Sequence, residues 1–492
     1  MKRHLPLFLI TCVALCGASL RAELRVSPMF GDHMVLQREL PVPVWGKADP
    51  GDTVTVRFAG QEAQTRAGQD GKWMLQLPPM PASAEGREFA VEAKGETKRF
   101  KDVLVGEVWI CSGQSNMQYG WGKQSKQRYN WGGDADLAKL AEQATGLPIR
   151  SYDVPCNVSF TPTEECAGTW STDLPGSAVA FGFSYHLQKS LNVPVAVIVA
   201  CWGSSSIEGW MPIELTAELP HFKTIMDEFQ KSEPTRASIE AAMKKGIRDG
   251  MTFIRKQPNI LYNAMLHPII PYGCRGIVWY QGEANNDQPE LYAASLPAWI
   301  RELRKRWNRD DLHVLGVMLP GFGADNGVAD PKSWAWFREA QAKGLRMPHA
   351  ALINTIDLGD PRNIHPKDKA PIADRLARIA RHDIHGEKIP ARGPEYQSHQ
   401  IEGGRLILTF DHTEGLTTKD GKAPVGFWLA GEDRQWHAAR AAINGSTVEL
   451  RADGVDKPVA CRYAFSNSPA VNLVNKAALP AAPFRTDDWP RQ

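Results

Sequence analysis

From Leu24 to about Lys101 the chain alternates apolar and polar positions over short stretches: Met34-Val35-Leu36, Val42-Pro43-Val44-Trp45-Gly46, Thr53-Val54-Thr55-Val56-Arg57-Phe58 and Trp73-Met74-Leu75-Gln76-Leu77. A period of two, punctuated by Asp49-Pro50-Gly51 and Asp70-Gly71, predicts antiparallel strands joined by turns, and so a β-sandwich domain over residues 23–101. After Asp102 the rhythm changes. Compact apolar runs at Val103–Ile110, Val193–Ala200, Gly276–Tyr280, Val314–Leu319 and Ala350–Ile356 alternate with helical patterns at Ala178–Leu191, Glu290–Trp307, Trp334–Ala342 and Lys367–His382. That order predicts an α/β domain with a helix-covered parallel sheet over 102–385. A polar, helix-prone stretch at about 215–255 reads as an insertion. Beyond Gly386, Leu406–Phe410, Val425–Leu429 and Thr447–Leu450 again have strand character, which predicts a β-rich domain over 386–492.

Composition adds limits. The chain of 492 residues is too long for one ordinary core. With 57 basic against 55 acidic residues, no summed field favours nucleic acid or an anionic membrane. Lys2, Arg3 and His4 precede an apolar run from Leu5 to about Leu20 that ends at Ala22, the layout of a cleaved signal peptide over 1–22. The run is short for a membrane span, so the expected location is periplasmic or extracellular. Beyond this leader stand Cys111, Cys156, Cys166, Cys201, Cys274 and Cys461, with no zinc spacing among them. In an oxidising compartment Cys156 and Cys166 are near enough in sequence to bridge.

The chemistry concentrates where predicted strands end. Val108-Trp109-Ile110-Cys111-Ser112-Gly113-Gln114-Ser115 is an apolar strand running into a small-residue turn with a serine at its tip. Ligands of open α/β sheets collect at these carboxyl ends. Serine after a strand is by default a turn former or helix cap. Here the neighbouring strands also end in small or amide-bearing residues, Cys201-Trp202-Gly203-Ser204 and Gln281-Gly282-Glu283-Ala284-Asn285. Acyl transfer needs such preorganised donors around a developing oxyanion. A serine nucleophile also needs a base, and His365, in a loop after the last α/β strand, lies at the same sheet edge. His382 and His385 fall at a helix end, where capping is the ordinary role.

At these blocks the chain closely resembles the sialate O-acetylesterase family, over nearly everything after the leader. The matching residues include Phe30-Gly31-Asp32-His33-Met34-Val35-Leu36-Gln37-Arg38, Gly113-Gln114-Ser115-Asn116-Met117, Trp279-Tyr280-Gln281-Gly282-Glu283-Ala284-Asn285, Asn363-Ile364-His365-Pro366 and Pro483-Phe484-Arg485-Thr486-Asp487-Asp488-Trp489. The resemblance implies a flavodoxin-like SGNH-hydrolase three-layer domain flanked by β-sandwich domains. It implies Ser115 as nucleophile and His365 as base, with no cofactor and no metal. The oxyanion and substrate contacts it implies are the Ser115 or Asn116 backbone, Gly203, Gln281, Glu283 and Asn285. The substrate would be an O-acetylated sugar or glycan. SGNH-type hydrolases place an aspartate three residues before the histidine, where this chain has Arg362. Asp360 is the first choice for the triad acid; Asp357, or a backbone carbonyl in a Ser-His dyad, are the alternatives.

Arg128, Arg338 and Arg362 are the arginines available to an acidic sugar. The competing readings are an esterase of acetylated xylan or another polysaccharide, and a non-catalytic glycan-binding protein using some of the 16 tryptophans. A lone Glu283 does not make a carboxylate-pair glycosidase, and Gly321-Phe322-Gly323 develops no dinucleotide fingerprint.

Overall fold

A computed structural model describes residues 23–122, 133–247, 251–325 and 327–491. The leader over 1–22 lies outside the described residues. The apolar run ending at Ser115 is part of one 18-residue strand, β1 (Glu96–Gly113). Its first half pairs antiparallel with Ser83–Ala93 and parallel with Val35–Gln37, inside the N-terminal β-structure. Its second half is a central strand of the α/β sheet. The sheet of the N-terminal region therefore continues into that of the α/β core, where a boundary near residue 101 had been expected.

The other strands of this sheet are β2 (Ile149–Asp153), β3 (Trp170–Ser171), β4 (Val195–Cys201), β5 (Gly276–Tyr280), β6 (His313–Val317) and β7 (Ala350–Ile353). They lie in the order β3-β2-β4-β1-β5-β6-β7, all parallel except the short edge strand β3. Setting aside β2 and β3, the order is the flavodoxin-like one, and chain order reverses between β1 and β5. Strands buried on both faces read as continuous apolar runs, as in Val195-Ala196-Val197-Ile198-Val199-Ala200, fully buried apart from a trace at Val199.

Register shows which helices cover which face. Trp109 on β1 is in register with Gly276, so Trp279, three residues further along β5, points to the opposite side. Trp109 meets Phe183 edge-on from α3 (Ala178–Leu191), whereas Trp279 packs on Trp299 of α6 (Pro289–Trp307). The α3 helix pairs with α8 (Ala370–Ile379) and α6 with α7 (Trp334–Gly344), giving three layers. The α3 helix has the expected bounds because Ser177 caps its first turn and Asn192 ends it in the left-handed conformation. The 215–255 insertion holds α4 (Pro220–Lys231) and α5 (Glu233–Lys245). Two shorter helices matter to the site, α1 (Ser115–Gln118) and α2 (Ala135–Gln143).

The C-terminal residues form two four-stranded antiparallel sheets around their own core, which includes Leu406, Leu408, Phe427, Leu429, Val448 and Tyr463. Cys156 and Cys166 do not bridge. The Cys166 thiol sits against Tyr152 and Met29, and that of Cys156 faces the Cys201 carbonyl. Among the described residues no helix is long and apolar enough to cross a membrane, and no group of three or more His, Cys, Asp or Glu is placed to hold a metal.

Candidate active site

The switch point between β1 and β5 carries the serine. Gly113 has φ of +137°, and a Cβ there would stand 2.1 Å from the Tyr280 carbonyl oxygen, so only glycine lets β1 turn so close to β5. The turn is tied to both neighbours: Gln114 N–H donates to Tyr280 O at 3.0 Å, and Trp202 N–H to Gly113 O at 3.0 Å. Gln114 Oε1 in turn accepts from the Gly282 and Ala284 N–H groups, shaping the loop after β5. Ser115 then opens α1, with only 7% of its surface exposed.

His365 Nε2 lies 2.8 Å from Ser115 Oγ, although the residues are 250 positions apart. The loop holding the imidazole is pinned at three successive backbone groups. Asn363 Oδ1 accepts the His365 N–H at 2.9 Å, Asn116 Nδ2 donates to Ile364 O at 3.0 Å, and Lys369 Nζ donates to Pro366 O. Burial and, secondarily, the nearby Lys369 push the His365 pKa down to about 4. At neutral pH the imidazole is therefore uncharged and able to accept a proton.

The two carboxylates considered as triad acid are engaged elsewhere. Asp360 Oδ1 accepts the Arg362 N–H at 2.9 Å within its own turn. Asp357 makes a two-pronged ion pair with Arg375, both contacts at 2.7 Å.

The expected oxyanion donors divide in the same way. Gly203 N–H is already given to Gln118 Oε1 at 2.9 Å. Asn285 Nδ2 donates to both oxygens of buried Glu208, at 3.1 and 3.0 Å, while its Oδ1 accepts from Ile207 N–H and Gln281 Nε2. A carboxylate only accepts, so Glu208 orients the Asn285 amide, and Asn285 in turn orients Gln281, whose Nε2 also reaches Ser205 O. These three residues form one buried hydrogen-bonded chain. In α1, Met117 and Gln118 N–H close back on Gln114 O. Ser115 and Asn116, the first two residues of the helix, have no intrahelical acceptor to close on.

Glu283 and Asn116 come together, with Asn116 Nδ2 2.5 Å from Glu283 Oε1. The other carboxylate oxygen of Glu283 is buried without a hydrogen-bond partner, and burial raises its pKa. Asn116 Oδ1 accepts from Lys369 Nζ at 2.9 Å, and that ammonium lies 4.7 Å from the centre of the Tyr119 ring. Lys369 is fully buried, which lowers its pKa to about 7. Nothing in Pro366-Lys367-Asp368-Lys369 distinguishes it in sequence from an exposed polar loop.

Of the three arginines, Arg338 is buried and spends its donors on the Leu319, Pro320, Ser466 and Asn467 carbonyls, joining the α/β core to the C-terminal structure. Arg362 is exposed beside the base loop, and Arg128 lies outside the described residues.

A three-layer α/β domain with a serine and a histidine at its switch point, flanked by β-structure, is the architecture expected of an ester hydrolase. Residues 105–380 match the family model described as carbohydrate esterase, sialic acid-specific acetylesterase, and the chain belongs to that family. It is 29% identical to sialate O-acetylesterase of Homo sapiens, with 94% of this chain and 92% of that one covered. Identity to the sialate O-acetylesterase of Mus musculus is 28%, covering 97% of each. Among solved structures, a carbohydrate acetylesterase from Xanthomonas citri matches with a TM-score of 0.80 and 32% identity, over 95% of this chain and all of that one.

Proposed function

We propose that the protein is an exported carbohydrate O-acetylesterase of SGNH type that removes acetyl groups from sugars, sialic acids first, through an acyl-enzyme on Ser115. The observation that carries this reading is the 2.8 Å approach of His365 Nε2 to Ser115 Oγ at the sheet's switch point. Family membership supports the substrate class.

In the proposed cycle Ser115 Oγ attacks the acetyl carbonyl while His365 takes its proton. The oxyanion is met by the Ser115 and Asn116 amides at the start of α1. His365 then protonates the departing sugar oxygen, and a water activated by the same imidazole releases acetate. Gly203, Gln281 and Asn285 support this as the framework holding the turns in place, and Glu283 is assigned a substrate contact because its second carboxylate oxygen has no hydrogen-bond partner. Arg362 is the described arginine that an acidic sugar could reach from the base loop.

A second substrate reading, an esterase of acetylated polysaccharide, uses the same chemistry, and the similar Xanthomonas citri protein is a carbohydrate acetylesterase. Acetate release from O-acetylated sialic acid and from acetylated xylan, by the intact protein and by Ser115→Ala, separates these. Serine-dependent release from sialic acid supports the first reading, and release from xylan alone supports the second. Absence of release from both, and from a small activated acetate ester, would favour a glycan-binding protein instead.

A further inference from the structure

Lys369 has no part in the cycle above, yet it is buried completely within one residue's reach of both reacting groups. Its Nζ donates to Asn116 Oδ1, next to the nucleophile, and to Pro366 O, next to the base. Asn116 extends the link to Ile364 O and to Glu283. The backbone on both sides of His365 is thus joined to the residue after Ser115 through one ammonium and one amide. The lysine's own position is set by Asp134. One oxygen of Asp134 caps α2, and the other accepts the Lys369 and Ala370 N–H groups at the start of α8.

We propose that Lys369 is a positioning residue for ester hydrolysis, holding the base loop on the nucleophile turn with its ammonium on the carbonyl of the residue after His365. The inference rests on the esterase reading, with Ser115 and His365 in the roles assigned above. A buried ammonium needs a reason to be kept, because desolvation is costly and a neutral side chain would pack as well. The groups facing it are Glu283 from the loop after β5, Asp134 from the start of α2, Asp368 beside it, and the rings of Tyr119 and Tyr280. Glu283 shares no hydrogen bond with Lys369 but meets it through Asn116, and burial raises its pKa.

The test is the pH dependence of kcat/KM for wild type, Lys369→Met and Lys369→Gln, with Ser115→Ala as a control and thermal melting as a check on folding. Methionine removes both charge and hydrogen bonds, whereas glutamine keeps a donor. Lys369→Met is expected to lower kcat about 100-fold, as a small misplacement of reacting groups does, with KM within about threefold. Both variants should move the acid limb upward by at least about half a pH unit, towards but short of the ordinary histidine value, because the burial of His365 remains. Lys369→Gln should lose less kcat than Lys369→Met for the same shift, and it carries the test if the methionine variant does not fold. Acid limbs that coincide with wild type, in a protein whose activity is lost in Ser115→Ala, would overturn the role of Lys369 and leave the esterase standing. Activity surviving in Ser115→Ala would overturn both.

Discussion

Asn116, the residue after the candidate nucleophile, donates its side-chain amide to the carbonyl of Ile364, the residue before the candidate base, at 3.0 Å. The same amide group serves Glu283 through its nitrogen and Lys369 through its oxygen. One side chain therefore sets the spacing between two loops that are distant in sequence.

Asn116→Ala should leave a buried carboxylate, an ammonium and a carbonyl each short of a partner. Each such orphan costs about 1–3 kcal/mol, though relaxation will recover part of the sum. A fall of about 100-fold in kcat, together with a lower melting temperature, is the expected outcome in steady-state kinetics and calorimetry.

The wild-type pH profile carries a second expectation. With its pKa pushed down to about 4 by burial and Lys369, His365 stays neutral well below the ordinary histidine value near 6.5. The base is then available above about pH 4 and is lost as pH falls through that value. Measured on an acetate ester, kcat/KM should be level between pH 5 and 7; an acid limb centred near 6.5 would show that the imidazole is not held in this environment.

Asp360 and Asp357 make different predictions. Asp360 spends its carboxylate on a backbone N–H of its own turn, so Asp360→Ala should cost less than about tenfold in kcat/KM, far from the roughly 10⁴-fold loss typical of disabling a triad acid. Asp357→Ala removes the partner of Arg375 and should appear mainly as lost stability in urea unfolding.

Six residues before Gly113 on β1, Glu107 is wholly buried between Arg38, at 2.6 Å, and Arg275, at 2.9 Å. Burial alone would raise its pKa, but Arg275, and after it His385 and Arg38, more than offset this and hold it below the usual carboxylate value. The stabilisation is complete above pH 4.5, the ordinary value, and is lost as pH falls through the depressed one. Glu107→Gln should lower the unfolding free energy at pH 7 by about 3–5 kcal/mol and remove this acid-side dependence. Paired urea titrations at pH 7 and pH 4 measure both effects.

The central strands were legible because burial on both faces writes itself as unbroken apolar runs; β4 and β5 are found within two residues of their expected bounds. Ile149–Asp153 carries Arg150 and Ser151 and has strand form only because β4 lies beside it, so β2 was missed. The change of rhythm after Asp102 suggested a boundary, yet β1 passes straight through it with a register shift, because Phe100 and Val103 on either side pair with Phe89 and Arg87. Ser115 and His365 were recognisable from strand-end position and from family blocks. The partners that decide which amide is free were not: Gln118 reaches Gly203 across 85 residues and Glu208 reaches Asn285 across 77. Lys369 was invisible for a related reason, since a lysine in a polar loop declares its burial only once Asp134 has drawn α2 and α8 together.

The measurement that tests the account most directly is the trapping of the acyl-enzyme. Wild type and Ser115→Ala are mixed with an activated acetate ester, quenched in acid within the first turnover, digested and analysed by mass spectrometry. An acetyl group on the peptide containing Ser115 in wild type, absent from the variant along with acetate release, is the predicted result. Acetate release at an unchanged rate by Ser115→Ala, or acetylation confined to another residue, would contradict it.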